Sequence, residues 1–128
     1  MKALFGLVLA ALLFTCACGK EDPPVRRYHT RGLVKEATSD HGALSVAIHH
    51  ERIEGFEDRD GKRSAMDSMQ MLFGTASDVP QALFQPGAKV DFEFDVRWSS
   101  QPTLLIVKAT GLGPDAALEL TQTQHGKH

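Results

Sequence analysis

The chain has 128 residues and a net charge of −2 at pH 7, with 14 lysine and arginine residues against 16 aspartate and glutamate residues. About 110 residues remain after an amino-terminal leader, which is enough for one domain and too few for two. A mildly acidic chain argues against a nucleic-acid partner, because binding to nucleic acid needs clustered lysine and arginine.

Residues 1–18 are typical of an export signal that ends at a lipoprotein cleavage site. Lys2 gives a positive start, residues 3–14 form an uncharged apolar run, and both cysteines of the chain, Cys16 and Cys18, follow. The run is too short to span a bilayer and fits the apolar core of a signal peptide. Small residues beside a cysteine predict acylation of Cys18, or of Cys16 instead. An ordinary cleaved secretory peptide and an uncleaved anchor are the other interpretations.

Export of this kind places the mature chain in the periplasm or cell envelope, held to a membrane by a lipid anchor. Acylation of Cys18 leaves the mature chain without a free thiol. Thiols in an oxidising compartment tend to be drawn into disulfides. A soft-metal site in this chain must therefore be built from thioether and imidazole groups.

Residues 19–27 are polar, contain a double proline and predict a tether that leads into one domain over residues 28–112. Alternating apolar and polar residues predict strands over residues 28–35, 43–49, 68–73, 89–98 and 104–112. The segments between them predict turns at 39–42 and 86–87, a charged loop at 57–63 with an Asp-Gly turn, and a loop or short helical turn at 76–84. Residues 113–128 are polar and predict a disordered tail.

These strands predict an all-β fold, a small five-stranded closed barrel of the OB type. The segment 89–98 has the clearest pattern, since its apolar residues fall at alternate positions and share one face. Gly32 in the first strand predicts a bulge or a close approach of backbones. A closed barrel has no free edge strands, which an open five-stranded sheet would have to protect. A small sandwich is the alternative.

The methionines after Met1 all lie in one six-residue segment, as Met66, Met69 and Met71. Met69 and Met71 are two residues apart, so on a strand they point to the same side of the sheet. His50 ends the second predicted strand, directly before the loop that leads to these methionines. If the second and third strands are neighbours, His50 and the thioethers meet at one mouth of the barrel.

This grouping suits a soft monovalent cation. Cu(I) and Ag(I) accept thioether sulfur, with imidazole tolerated beside it. Hard ions such as Ca²⁺ and Mg²⁺ require carboxylate and carbonyl oxygens instead. The alternative is that Met69 and Met71 are core residues, because methionine fills irregular gaps well.

Three segments of the chain carry a resemblance to a known family: residues 48–53 (IHHERI), 66–73 (MDSMQMLF) and 86–94 (PGAKVDFEF). Together they resemble the periplasmic copper-binding domain of the CusF type, over residues 28–112. The resemblance implies a small five-stranded OB barrel that binds Cu(I) or Ag(I) and passes it to a copper efflux or oxidase-assembly protein.

The resemblance implies His50, Met69 and Met71 as metal ligands. Family members place a tryptophan over the metal as a cation–π cap. In this chain the corresponding position is Met66. A second departure from the family pattern is a longer loop over residues 54–65. We interpret Met66 as a third sulfur ligand and Trp98 as a core or rim residue. This variant resembles the domain found in bacterial copper proteins associated with cytochrome oxidase assembly factors.

The expected function is that of an exported, monomeric copper metallochaperone that holds one Cu(I) or Ag(I) for efflux or for delivery to copper-enzyme assembly. The alternative is a non-metal envelope lipoprotein module that binds a protein or glycan partner through the charged residues 51–63. An enzyme is disfavoured, because the mature domain has no thiol nucleophile, no serine-based motif and no carboxylate–histidine set with suitable spacing.

Overall fold

The structure is a computed structural model that describes residues 23–120. The predicted leader over residues 1–18, with Cys16 and Cys18, lies outside the described residues, as do residues 121–128. Within residues 23–120 the chain forms strands and one short 3₁₀ turn: β1 (Arg26–Asp40), β2 (Ala43–His50), β3 (Ile53–Glu57), β4 (Arg63–Met66), β5 (Met69–Thr75), the 3₁₀ turn Gln81–Leu83, β6 (Lys89–Val96) and β7 (Leu104–Gly111).

Five of these strands close into a ring in the order β1-β2-β5-β7-β6, with β6 returning to β1. All neighbours are antiparallel except β5 and β7, which meet in a short parallel pairing. The ring can close because β1 is 15 residues long. Its first half pairs with β6 and its second half pairs with β2. The predicted all-β fold with a closed five-stranded arrangement is therefore confirmed.

Phenylalanine side chains from two strands fill the interior of the ring. Val90, Phe92, Phe94 and Val96 of β6 are each at most 1% exposed, so the predicted apolar face of this strand is confirmed. The ring of Phe73 on β5 lies 5.2 Å from that of Phe92 and 5.0 Å from that of Phe94, both edge-on. Burial of a side chain of this size stabilises a fold by about 1.5–3 kcal/mol.

A β-hairpin stands in the region where the resemblance implies a longer loop, over residues 54–65. β3 pairs with β4, with Ile53 opposite Met66. Ile53 and Phe56 are buried and join the main hydrophobic core, so this hairpin has an apolar side that packs on the ring. The charged loop predicted at residues 57–63 is the connection of this hairpin, since residues 58–62 link its two strands. The remainder of the longer loop is strand, because Ile53 and Phe56 give the pair an apolar side to bury.

The hairpin is attached to β1 through one aromatic residue. The ring of Tyr28 lies 4.9 Å from that of Phe56, and its hydroxyl accepts a hydrogen bond of 2.9 Å from the backbone N–H of Glu57. The hairpin turns at Gly61, which has a φ of +84°, so the predicted Asp-Gly turn is confirmed. The 3₁₀ turn at Gln81–Leu83 likewise confirms the short helical turn predicted within residues 76–84.

The described part of the carboxyl-terminal tail runs back along the ring. Lys89 Nζ donates hydrogen bonds of 2.7 Å to the carbonyl oxygens of Pro114 and Ala116. The backbone N–H of Glu119 donates to the carboxylate of Glu51 at 2.8 Å. The disordered tail predicted over residues 113–128 stays a prediction, and its last part, residues 121–128, lies outside the described residues. No helix among residues 23–120 has the length and hydropathy needed to cross a membrane.

Gly32 allows β1 to approach β2 closely beside the end of that strand. It lies opposite His50. A Cβ added at Gly32 would lie 2.5 Å from Cγ2 of Ile48 and 2.8 Å from the carbonyl oxygen of His49. The close approach predicted at Gly32 is confirmed, whereas the irregularity in the pairing falls later, between Val34 and Glu36.

We predict that Gly32→Ala lowers the free energy of unfolding by about 1–3 kcal/mol, because a methyl group forced against a backbone oxygen must displace β1. Thermal unfolding followed by circular dichroism measures the effect. Gly113→Ala is the matched control, since nothing lies within 4 Å of a Cβ added there. Equal melting temperatures for the two variants would contradict the prediction.

Candidate metal site

The sulfur and nitrogen donors lie on two neighbouring strands. β2 and β5 are antiparallel partners, with His50 opposite Met69 and Ile48 opposite Met71. The predicted site requires β2 and β5 to be adjacent strands, and this adjacency is therefore confirmed. The donors gather at the end of the ring where β2 finishes and β5 begins.

The side chains of these donors face the same side of the sheet. Phe73 is 1% exposed in the core, so Met71 and Met69, two and four residues before it, point to the interior side. On β2, Ile48 is fully buried in the core, and His50 follows it on the same side. Strand alternation thus places the imidazole and both thioethers on one side of the sheet, with Met69 at the exposed rim.

His50 and Met71 are in direct contact. His50 Nε2 lies 3.1 Å from the sulfur of Met71, while Nδ1 lies 2.6 Å from the carbonyl oxygen of Glu51. A carbonyl oxygen can only accept, so the neutral ring carries its proton on Nδ1 and donates it to Glu51. Nε2 then presents a lone pair to a thioether, which is itself an acceptor. Both atoms therefore have a lone pair of the kind that a soft cation accepts.

Burial keeps this imidazole neutral. His50 is fully buried, and burial lowers its pKa below the ordinary histidine range. The hydrogen bond to Glu51 opposes this shift, and the neighbouring His49 adds to it. A ligating histidine must be deprotonated at the nitrogen that binds the metal, so a lowered pKa favours binding at neutral pH.

The remaining two methionines lie nearer to solvent. Met69 is 44% exposed at the rim, directly across from His50. Met66 is half-buried, pairs with Ile53 in the hairpin and packs against the hydrophobic core. The structure therefore joins His50 to Met71 and sets Met69 opposite His50. A role for Met66 as a ligand stays a prediction.

The donor set of this mouth is one imidazole with thioethers. Among residues 23–120, no group of three or more histidine, cysteine, aspartate or glutamate side chains is arranged to hold a metal ion. Trp98 follows the end of β6 and packs against the core. Because β6 begins beside Leu33, next to the residue opposite His50, and ends beside Arg26, Trp98 lies at the far end of that strand from His50 and does not cap the donors.

Two further buried polar residues adjoin the donors, and the sequence pattern did not point to them. Ser68, immediately before Met69, is 5% exposed, and His49 is 7% exposed. Ser68 Oγ lies 3.0 Å from His49 Nε2 and donates a hydrogen bond of 2.7 Å to the carbonyl oxygen of His50. The available signals were a double histidine and a serine between methionines, and neither by itself predicts burial.

Comparisons of this chain with protein families, with curated proteins and with solved structures find no match. The resemblance to the CusF-type copper-binding domain stays a prediction.

We predict that the neutral form of His50 carries its proton on Nδ1 and that Met71→Leu leaves this tautomer unchanged. The reason is that the carbonyl of Glu51, and not the thioether, holds the proton. Long-range ¹H–¹⁵N correlation spectra of the histidine rings, recorded above pH 7 without metal, distinguish the two tautomers. A proton found on Nε2 of His50 in the unsubstituted chain would overturn the assignment.

Proposed function

We propose that this protein is an exported copper metallochaperone that carries one Cu(I), or Ag(I), on His50, Met69 and Met71, with Met66 as a further sulfur ligand. One observation supports this most strongly: Nε2 of the fully buried His50 lies 3.1 Å from the sulfur of Met71, and the hydrogen bond from Nδ1 to Glu51 assigns the ring proton to the other nitrogen. Neither atom has a proton to offer the other, and both are donors that soft ions accept.

The charge of the donors favours a monovalent ion. Imidazole and thioether are both neutral, so these ligands bring no charge to balance that of the ion, and both Ile48 on the strand of His50 and Phe73 on the strand of Met71 belong to the hydrophobic core. A divalent ion there would carry twice that charge without an anionic ligand to balance it, which a buried position penalises. Ca²⁺ and Mg²⁺ would in addition lack the oxygen ligands that they need.

The unequal exposure of the donors suits a carrier. His50 and Met71 form the inner part of the site, whereas Met69 is 44% exposed at the rim. A ligand from a receiving protein could reach the ion from the side of Met69 and replace that thioether first. Transfer would then proceed by exchange of one neutral ligand at a time, without the ion being released to water.

The wider role follows from the amino-terminal residues. A leader with Cys18, or Cys16, at its end supports export and a lipid anchor in the cell envelope. The receiving partner is a copper efflux or oxidase-assembly protein, and the protein itself acts as a monomer and not as an enzyme. These parts of the proposal rest on the sequence.

Full-length protein with Cys16→Ser and Cys18→Ser is the starting point for metal titrations, because thiolates would bind Cu(I) and mask the thioether site. In this background, we predict that Met69→Ile with Met71→Ile lowers the affinity for Cu(I) by more than about tenfold. Anaerobic competition with a chromophoric Cu(I) chelator measures the affinity. Unchanged stoichiometry and affinity in the double variant would refute the proposed function.

An exchange of neighbouring residues provides a matched control. Met71→Leu combined with Leu72→Met keeps the composition of β5 but moves one thioether to the outer face, where Leu72 is 67% exposed. Because strand side chains alternate, this variant should bind Cu(I) as weakly as Met71→Leu alone. Affinity equal to that of the unsubstituted protein would mean that thioether content, and not this mouth, determines binding.

We predict that Met66→Leu retains Cu(I) with one fewer sulfur ligand and with a smaller loss of affinity than Met71→Leu. The reason is that Met66 lies on the hairpin, outside the β2–β5 pair that holds the other donors. Copper K-edge absorption spectroscopy counts the sulfur neighbours. An unchanged count would assign Met66 to the core alone and leave a site of two sulfurs and one nitrogen.

The alternative, a non-metal module that binds through residues 51–63, makes a different prediction for partner binding. Several charges of this segment already pair within the domain: Arg52 with Glu54 and Asp67, and Glu57 with Arg26 and Arg63. Capture of a partner that is equally efficient in excess Cu(I) chelator and in added copper would favour this alternative.

A further inference from the structure

A buried hydrogen-bonded bridge stands directly beside the donors. Its centre is the hydroxyl of Ser68, which lies 2.7 Å from the carbonyl oxygen of His50 and 3.0 Å from Nε2 of His49. Ser68 is 5% exposed and His49 is 7% exposed, so water cannot readily replace either partner. A polar group buried in this way must keep its hydrogen bonds, because leaving one unmade costs about 1–3 kcal/mol.

The direction of each hydrogen bond in the bridge is determined. The carbonyl of His50 can only accept, so the hydroxyl of Ser68 donates its proton there. The oxygen of Ser68 is then free to accept, and His49 donates the N–H at Nε2 to it. The two adjacent histidines therefore hold opposite tautomers, with the proton on Nε2 in His49 and on Nδ1 in His50.

The bridge connects the segment that holds the rim methionines to the residue that holds the imidazole. Ser68 immediately precedes Met69 and follows Met66 by two residues. Its hydrogen bond ends on the carbonyl of His50 itself, not on a more distant residue. One short bond thus ties the backbone between the two flanking methionines to the residue that carries the inner donor.

The opposite end of β5 has a comparable bond without any donor beside it. Thr75, the last residue of β5, donates from Oγ1 to the carbonyl oxygen of Leu44 on β2 at 3.1 Å. Both ends of the strand are therefore fastened to β2 by a hydroxyl and a carbonyl. Only the bond of Ser68 lies at the mouth with the methionines, which makes Thr75 a natural control.

We propose that Ser68 and His49 form a positioning pair of the metal site, which holds Met66 and Met69 against the mouth so that the ion keeps its full set of sulfur ligands. This inference rests on the proposed binding of Cu(I). Neither residue touches the ion: Ser68 acts through the backbone on either side of it, and His49 acts by directing the hydroxyl of Ser68. Without the bridge, the segment between Met66 and Met69 is held less firmly against the end of β2, and His50 with Met71 is left as a partial site.

The test compares Ser68→Ala, Ser68→Thr and Thr75→Val in full-length protein with Cys16→Ser and Cys18→Ser. Anaerobic competition titration gives the Cu(I) affinity, and copper K-edge absorption gives the number of sulfur neighbours. Ser68→Ala should weaken binding by about tenfold to a hundredfold and remove at least one sulfur neighbour. Ser68→Thr keeps a hydroxyl and should restore both quantities.

Thr75→Val separates positioning from general stability. It removes a hydroxyl-to-carbonyl bond between the same two strands, so it should lower the melting temperature while leaving the affinity and the sulfur count unchanged. The inference is overturned if Ser68→Ala keeps the full sulfur count and affinity, or if Thr75→Val reduces them equally.

His49→Leu provides a second test should Ser68→Ala fail to fold. It removes the donor to Ser68 but leaves the bond from Ser68 to His50, so we expect a loss of affinity in the same direction but smaller, with a lower sulfur count. An unchanged sulfur count in this variant would overturn the role of His49.

Failure of the unsubstituted protein to bind Cu(I) through sulfur refutes the proposed function itself. Normal binding by that protein, together with unchanged binding by Ser68→Ala, refutes only the positioning role.

Discussion

The antiparallel register between β2 and β5 is the constraint on which the candidate site depends. It sets His50 opposite Met69 and Ile48 opposite Met71. A shift of the pairing by one residue would turn the side chains of one strand to the other face. The register is secured by the core, because Ile48 and Phe73 must both face inward for the ring to fill. The packing that stabilises the fold and the convergence of the proposed ligands therefore have the same physical origin.

Local patterns in the sequence predicted the features that depend on the alternation of side chains along a strand. The apolar positions of β6 predicted its buried face, and Met69 with Met71 predicted one shared side, because both follow from the two-residue period of a strand. The closed ring was also predictable, since several short strands without a helix leave few other ways to cover sheet edges. A close approach at Gly32 was predictable as well, because glycine weakens the interior of a strand and often marks a point where another backbone comes near.

Features that depend on contacts between distant segments were not predictable. The charged residues around Ile53 and Phe56 gave no sign of a hairpin, because this hairpin is stabilised by contacts with the core and with Tyr28 on another strand. The hydrogen-bonded bridge at Ser68 could not be predicted for the same reason. Burial of a serine depends on which carbonyl group stands opposite it, and a single sequence does not show which carbonyl that is. Contact between Nε2 of His50 and the sulfur of Met71 depends on the register between β2 and β5, which the sequence alone does not determine.

The length of β1 has a consequence for how the chain must fold. Arg26, at its start, pairs with Val96, whereas Asp40, at its end, pairs with the nearby Ala43. The second half of β1 can form a hairpin with β2 as soon as both have been synthesised, but its first half has no strand beside it until β6 has emerged. Pairings between such distant segments form late and slowly. A nascent chain that ends before Lys89 therefore exposes an open, partly apolar sheet edge, so truncated products of this gene should aggregate or be degraded.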